Sequence, residues 1–376
     1  MTRIIHIISD SNIGGAGRCL VNYLRCHDRS RFNLSVILPR GSLLIPEIAA
    51  LDVPYFEVDG IAERSFSPAA VRTLSEILKR EKPLIVHTHG SFSGRIAAKL
   101  AGSRIVYTRH SAFPVSPRLQ SGVMHRLNGW VGGFFADVVI AVSPAARDNL
   151  TQSGISPKII RLVGNGVAPL SPAAPEHLAA LRASWEIPGD CFVAGYPARL
   201  EDYKGHELLL EAAKNLKEAG REFRILIAGK GNQERLLREQ AEGMGLSDRV
   251  RFLGFVEDMA GFLSLLDVQL NCSTLSEACS MSIIEGMSLG LPTVASRCSG
   301  NPWLVEDGVT GLLFENNDAA SLTNALSKLM DDPVAVRRMG KSAREAYDRR
   351  FTGEIFAANL ERVYDDILKH KGGTPR

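Results

Sequence analysis

Several absences narrow this chain's class before any motif is read. No apolar run approaches the roughly eighteen residues that a membrane-spanning helix needs. The short apolar start, MTRIIHIISDSNIGG, reads as a strand and is followed by no signal-peptide cleavage pattern, so a cytoplasmic location is expected rather than secretion. The six cysteines (Cys19, Cys26, Cys191, Cys272, Cys279, Cys298) form no CxxC pair and no Cys/His metal spacing. A reducing compartment suits them, mostly as small core residues. There is no short repeat and no low-complexity tail. Basic residues are spread out and no aromatic stacking motif stands out, which argues against a nucleic-acid partner.

What is present fits a soluble protein of two domains. The chain has 376 residues and a formal net charge of +3. That charge is uneven: residues 1–167 carry 20 Lys and Arg against 11 Asp and Glu, and the remainder 24 against 30. A basic first half suits an anionic partner, or is a solvated basic face without one. Apolar strand candidates in the first half are IIHIIS (4–9), LSVIL (34–38), LIVH (84–87), RIVYT (104–108) and VVIAV (138–142). A second series follows residue 190: CFVAGY, FRILIAG, RVRFLG, DVQLN, PTVAS and GLLF. Helical patterns alternate with them, which predicts two α/β domains with doubly wound parallel sheets. Between the series lies a stretch rich in Pro and Ala that reads as a linker with a short helix.

In such sheets ligands bind beyond the carboxyl ends of the strands, and the unusual residues cluster there. NIGGAGR (12–18) is a glycine-rich turn entering a helix. Gly14 and Gly15 would let the backbone approach a ligand, and the helix start favours an anion. It is not a nicotinamide fingerprint. Gly15 and Gly17 match two glycines of GxGxxG, but Leu20 holds the third place, and the second strand is followed by no acidic residue for a ribose. A plain tight turn is the structural alternative. HTHGS brings His89 to a strand exit, and TRHSAF brings Arg109 and His110. A lone histidine at such a position is more often structural than functional, which makes His89 the weaker candidate of the two. In the second half, strands end at Gly229 (in GKGN) and Gly254. ARLEDYKGHELLLEAA (198–213) places Arg199 and Lys204 in one strand-to-helix loop, two cations suited to a diphosphate. In SEACSMSIIEGMSLGLP (276–292), Ser280, Met281 and Ser282 start a helix whose free N–H groups suit phosphate or sugar oxygens. Glu277 falls in the loop before it and Glu285 about one turn inside.

Together these residues resemble the GT-B glycosyltransferases of the GT4 group. The family's E-x7-E pattern is present as Glu277 and Glu285, and PARLEDYKGHELLLEAA is similar to its Arg-Leu…Lys-Gly segment. LVGNGV (162–167), RVRFLGFVEDM and GLPTVAS…VEDGVTGLLF are similar to further family segments. The resemblance implies a GT-B fold, α/β, of two Rossmann-like domains facing across a donor cleft. Residues 1–167 would form the acceptor-side domain, 168–190 the linker, 191–352 the nucleotide-sugar domain, and 353–376 a helix packing back on the first. It implies that Glu285 binds the nucleotide ribose and that Glu277 binds the sugar hydroxyls and stabilises positive charge developing on the sugar. Arg199 and Lys204 would neutralise the departing diphosphate, and His110 would face the sugar. Gly14, Gly15, Ser280, Met281, Ser282, Gly229 and Gly254 would line the donor, with His89 and Arg109 on the acceptor side. Two departures stand out. Ala278-Cys279-Ser280 replaces the family's Gly-Phe-Gly, which bears on the donor sugar, and Ser299-Gly300-Asn301 replaces its usual Gly-Gly.

The implied reaction transfers a sugar from a nucleotide diphosphate, most often uridine diphosphate, with retained anomeric configuration. The acceptor would be a glycan or lipid-linked hydroxyl in cell-surface polysaccharide or glycolipid synthesis. No DxD pair stands at a strand exit, so no metal and no other cofactor is expected. A non-catalytic sugar-nucleotide binder and a sugar-nucleotide 2-epimerase are the alternatives on this scaffold. The stretch FPVSPRLQSGVMHRLNGWVGGFF (113–135) mixes Arg118, His125 and Arg126 with Met124, Leu127, Trp130 and Phe134. It reads either as a surface resting on an anionic membrane, at its inner face, or as a helix packed on the core with a basic outer side.

Overall fold

The computed structural model describes residues 1–62 and 66–369. The chain divides into two compact units. One is Met1–Val167 together with the chain from Phe351 onward, and the other is Ala168–Arg350.

In the first unit seven strands form one parallel sheet: β1 (Thr2–Ile8), β2 (Phe32–Pro39), β3 (Tyr55–Val58), β4 (Ile85–His89), β5 (Arg104–Arg109), β6 (Val138–Ala141) and β7 (Ile160–Leu162). Their order is β3-β2-β1-β4-β5-β6-β7. Ile4, Ile5, Ile7 and Ile8 of β1 are all fully buried, as expected of a central strand covered on both faces. The edge strands β3 and β7 carry no apolar run in the sequence. Only Val58 is buried in β3 and only Ile160 in β7, because an edge strand packs fewer side chains into the core.

The second unit holds β8 (Phe192–Pro197), β9 (Phe223–Ala228), β10 (Val250–Gly254), β11 (Val268–Asn271), β12 (Thr293–Ser296) and β13 (Gly311–Phe314). They form a parallel sheet in the order β10-β9-β8-β11-β12-β13. All six match the apolar runs read from the sequence. The stretch expected to be a linker contains the helix Pro175–Ser184 and belongs to this unit. Leu170 N–H donates to Ser288 Oγ and Ala173 N–H to Ser264 Oγ.

The chain re-enters the first unit at Phe351. Helix Gly353–Lys369 then buries Phe356, Leu360 and Tyr364 beside Leu20, Tyr23 and Leu24 of helix Gly15–Cys26. Its buried Glu361 accepts the N–H of Asp28 at 2.8 Å. Residues 370–376 of the expected final helix lie outside the described residues.

In each sheet the strand order reverses once, between β1 and β4 and between β8 and β11. The crevice beyond the carboxyl ends at such a reversal is where a doubly wound sheet receives a ligand.

Candidate active site

In the second unit the exits of β8 and β11 meet at the reversal. The β8 exit carries Arg199 and Lys204, and the β11 exit carries Ser273 and Glu277 ahead of the helix Met281–Ser288. The two loops are held together by backbone contacts. Thr274 N–H donates to Tyr203 O at 2.9 Å, and the buried Tyr196 hydroxyl donates to Lys204 O at 2.7 Å. Gly205 has φ +67°, and a Cβ there would lie 2.1 Å from Cys272 O. Only glycine permits both that backbone conformation and that approach.

This places the Lys204 ammonium 2.7 Å from Glu277 Oε2, with the side chains 15% and 13% exposed. Ser273 Oγ donates to the same oxygen at 3.1 Å and Asn271 Nδ2 at 3.3 Å. All three converge on Oε2, and among the described residues nothing donates to Oε1. One carboxylate oxygen is thus fixed by the protein, and the other takes no hydrogen bond from the described residues. Burial by itself would raise the Glu277 carboxyl, but the Lys204 charge and the hydrogen bonds from Lys204, Asn271 and Ser273 outweigh it and hold the group below its ordinary value. Glu277 is therefore ionised at neutral pH.

Ser280 caps the helix, accepting from Ile283 N–H, and its hydroxyl lies 3.1 Å from Ser282 Oγ. Met281 and Ser282 occupy the first turn, where helix geometry leaves N–H groups without intrahelical acceptors. Glu285 sits just over one turn in, half-buried. Gly300 shapes the Glu277 loop from below: its N–H donates to Glu277 O at 2.7 Å, and a Cβ would stand 2.0 Å from Ala278 O. Arg199 is exposed and donates to Tyr203 Oη at 2.7 Å within its own loop. Gly229 and Gly254 close the β9 and β10 exits, with φ +156° and +68°, and Gly229 N–H donates to Gly254 O. A Cβ on Gly229 would press to 2.0 Å from Ala198 O, so backbone packing alone accounts for this glycine.

Sequence reasoning missed Asn271, Ser273 and Asn301. Asn301 Nδ2 donates to Asn271 Oδ1, to Ser296 O and to Ser296 Oγ, and so orients the residue that orients Glu277. The available signal was the polar NCST that ends a fully buried strand.

In the first unit the β1 exit leads to Gly14, the N-terminal cap of helix Gly15–Cys26. No side chain caps this helix and no acidic residue lies in its first turn. Gly15 faces open space, whereas a Cβ on Gly14 would meet the Asp10 carboxylate at 2.5 Å. His110 follows β5 and is half-buried, with Nε2 2.9 Å from His89 Nδ1. Burial lowers its pKa to about 4, so it is neutral.

One expectation is corrected here, and a second residue is given a structural role. His89 is buried and its other nitrogen lies 3.1 Å from His6 Nδ1, so both ring nitrogens are taken by protein and it offers nothing to an acceptor. Arg109 turns back to donate to Ser111 O and Asn149 Oδ1, which makes it a brace between loop and helix.

Two Rossmann-like parallel sheets, each with polar side chains gathered at its strand reversal, define a GT-B glycosyltransferase architecture. Known proteins agree. The family model for glycosyl transferases group 1 matches residues 179–346, and that for glycosyltransferase family 4 matches residues 13–169. The chain belongs to the group 1 GT-B glycosyltransferases. It is 29% identical over 352 residues to the Bacillus subtilis (strain 168) protein EpsF, covering 89% of this chain and 85% of that one. It is also 29% identical over 319 residues to an Escherichia coli UDP-Gal:alpha-D-GlcNAc-diphosphoundecaprenol alpha-1,3-galactosyltransferase, covering 80% and 79%. The crystal structure of Anabaena Alr3699/HepE with UDP and glucose superposes with a TM-score of 0.84 at 22% identity, covering 97% and 100%. The protein is thus a transferase of the glycosyltransferase type.

Proposed function

We propose that the protein is a retaining, hexosyltransferase-type enzyme that moves a sugar from a nucleotide diphosphate, with uridine diphosphate as the favoured carrier, to a hydroxyl of a glycan or lipid-linked acceptor. The observation that carries this reading is the Lys204–Glu277 pair, with one carboxylate oxygen fixed and the other open. The open oxygen suits a sugar hydroxyl, and the fixed charge opposes positive charge developing on the sugar ring. Lys204 and Arg199 supply the cations that a departing diphosphate needs, so no metal is required in this scheme. Glu285 takes the ribose hydroxyls, and His110 faces the sugar. The acceptor attacks from the face that the diphosphate leaves, and catalysis is largely positioning plus electrostatic stabilisation. The Escherichia coli relative is named for a UDP-Gal donor and a diphosphoundecaprenol-linked acceptor. That supports a role in polysaccharide or glycolipid synthesis.

The test is thermal stabilisation by nucleotide diphosphates and sugar nucleotides, for wild type and Glu285→Ala. At a hundred times its dissociation constant the carrier adds about 2.7 kcal/mol. The gain should appear with uridine diphosphate, persist in chelator and be lost in Glu285→Ala. Stabilisation by guanosine diphosphate alone would overturn the carrier assignment, and none by any nucleotide would move a non-catalytic role forward. Product analysis with acceptor present distinguishes transfer from epimerisation.

The acceptor side of this proposal includes an anionic membrane surface, reached as a peripheral protein. No described helix is long and apolar enough to cross a membrane. Helix Gly122–Phe134 buries only Gly132, which overturns the core-packed reading of this stretch. Val123, Leu127, Trp130 and Phe134 fall on one side at helical spacing, and Val123 and Trp130 are 80% and 64% exposed. The opposite side is glycine: Cβ atoms on Gly129 and Gly132 would meet Gly154 O and Ile155 Cδ1 at 2.1 Å. The helix therefore lies flat with its apolar stripe outward, an arrangement that marks an interaction site. Between Glu81 and Asp137 the sequence has no acidic residue but includes Arg95, Lys99, Arg118 and Arg126. This combination suits anionic headgroups over an apolar interior. Vesicles containing phosphatidylglycerol should sediment the protein at low salt, and Trp130→Ser should weaken this about tenfold or more. Equal sedimentation with neutral phosphatidylcholine vesicles, or none with either, would rule this surface out.

A further inference from the structure

The first unit contains a connected array of buried imidazoles that the roles assigned above do not use. His6 sits among the isoleucines of β1 and His87 in the fully buried β4, and both are buried. His6 Nδ1 is 3.1 Å from His89 Nε2, and His89 Nδ1 is 2.9 Å from His110 Nε2. His6 Nε2 is 3.5 Å from the Tyr364 hydroxyl, which is 2.6 Å from His87 Nδ1. His87 Nε2 is 2.6 Å from Thr108 Oγ1. Thr108, His87, Tyr364, His6, His89 and His110 thus form one hydrogen-bonded chain that ends at the histidine assigned to the sugar.

His6, His87 and His89 also place one ring nitrogen each within 4.8 Å of one another, a spacing that invites a metal reading. The ring geometry opposes it. His87 and His89 are stacked at 4.5 Å and 25°, while His6 and His89 lie edge to edge, nearly coplanar at 19°, with the facing nitrogens engaged with each other. Ligand lone pairs lie in the ring planes, so stacked rings aim them side by side rather than at one point. All six nitrogens already have partners in the protein.

Burial keeps these imidazoles neutral: His6 is lowered to about 3, His110 to about 4, and His87 and His89 well below their ordinary value. Each ring then has one N–H and one bare nitrogen, so the whole chain can point in only two directions. If hydrogens point inward from His110, His87 Nε2–H donates to Thr108, and the buried Thr108 hydroxyl hydrogen is left with no acceptor among the described residues. If they point outward, Thr108 donates to His87, His87 to Tyr364, Tyr364 to His6, His6 to His89 and His89 to His110. Every buried hydrogen is then used. An unpaired buried hydrogen is costly, so the outward direction prevails.

We infer that this chain locks His110 as the Nδ1–H tautomer, a neutral hydrogen-bond donor offered to a substrate oxygen, and that Thr108, Tyr364 and His6 are positioning residues for the transfer reaction. The tautomer lock follows from the array; its catalytic meaning rests on the assignment of His110 to the sugar.

The test uses full-length protein labelled with 15N-histidine, because ring-nitrogen shifts separate protonated from bare nitrogens. In wild type His110 should show Nδ1 protonated and Nε2 bare. Thr108→Val removes the hydroxyl that sets the direction, and Tyr364→Phe cuts the chain. In each, His110 should become a mixture of tautomers, whereas Thr108→Ser keeps the wild-type pattern. The kcat should fall in proportion to the Nδ1–H fraction lost, about twofold for an even mixture. Thermal stabilisation by uridine diphosphate should be unchanged. A bare Nδ1 in wild type, or an unaltered pattern in both chain-breaking variants, would overturn the lock. One equivalent of tightly bound Zn(II), lost in His6→Asn, would overturn it in favour of a metal site. Full activity in His110→Ala would overturn the positioning role and the substrate assignment together, while the nitrogen signals judge the lock independently.

Discussion

Lys204→Met should lower kcat by about 10²–10³, the usual effect of removing one preorganised charge from a reacting centre. The side chain does two things. As a cation at the β8 exit it suits the departing diphosphate, and at 2.7 Å from Glu277 it keeps that buried carboxylate ionised. Without the ammonium, the burial that already opposes the charge prevails, and the carboxyl shifts upward. The pH dependence of stability separates these roles. In wild type the lowered Glu277 pKa contributes stability that is fully present above the ordinary carboxylate value and is lost as pH falls through the lowered one. In Lys204→Met the sign reverses. The difference in Tm between the two proteins should therefore be largest near neutrality and shrink in acid. Lys204→Met/Glu277→Gln should recover much of the stability, because no uncompensated buried charge remains, and none of the kcat. A kcat within threefold of wild type for Lys204→Met would remove this residue from the reaction.

Gly205→Ala should be among the most damaging single-methyl changes in the second unit. It forces a residue with φ +67° to carry a Cβ and pushes that Cβ to 2.1 Å from Cys272 O, a backbone atom that cannot rotate away as a side chain could. Strain and overpacking together cost about 3 kcal/mol, or roughly 6–12 °C in Tm for a unit of this size. The functional loss should exceed what stability explains, because the same contact sets the Lys204 loop against the Glu277 loop. Nucleotide-induced stabilisation in the surviving folded protein measures this. Gly308→Ala is the control: its φ is +75°, but no atom lies within 4 Å of the added Cβ. Equal Tm losses in the two variants would show that backbone conformation alone, and not the approach to Cys272, governs position 205.

How much was legible in the sequence followed from burial. Parallel strands buried on both faces are mostly apolar, so eleven of the thirteen strands read as apolar runs, among them the whole sheet of the second unit. The edge strands Tyr55–Val58 and Ile160–Leu162 bury one residue each and left no such mark. Glu277, Lys204 and Arg199 were visible because polar residues at strand exits need a reason, and their order matched a known family. Glu277 in the loop and Glu285 one turn into the helix also followed, since Ser280 is a capping residue at the right distance.

Sequence by itself thus determined the two parallel sheets, the family and the identity of the charged groups, because periodicity, capping and strand-exit chemistry are local and repeat along the chain. Only the tertiary structure decided which oxygen of Glu277 is held and which is open, because Lys204 reaches it from the β8 exit while Asn271 and Ser273 approach from the β11 segment. It turned His89 and Arg109 into internal braces and laid helix Gly122–Phe134 with its apolar side outward. It also joined His6, His87 and His89 to Tyr364, 358 positions beyond His6. Such contacts depend on which strands become neighbours and where a returning helix packs, and no local pattern encodes either.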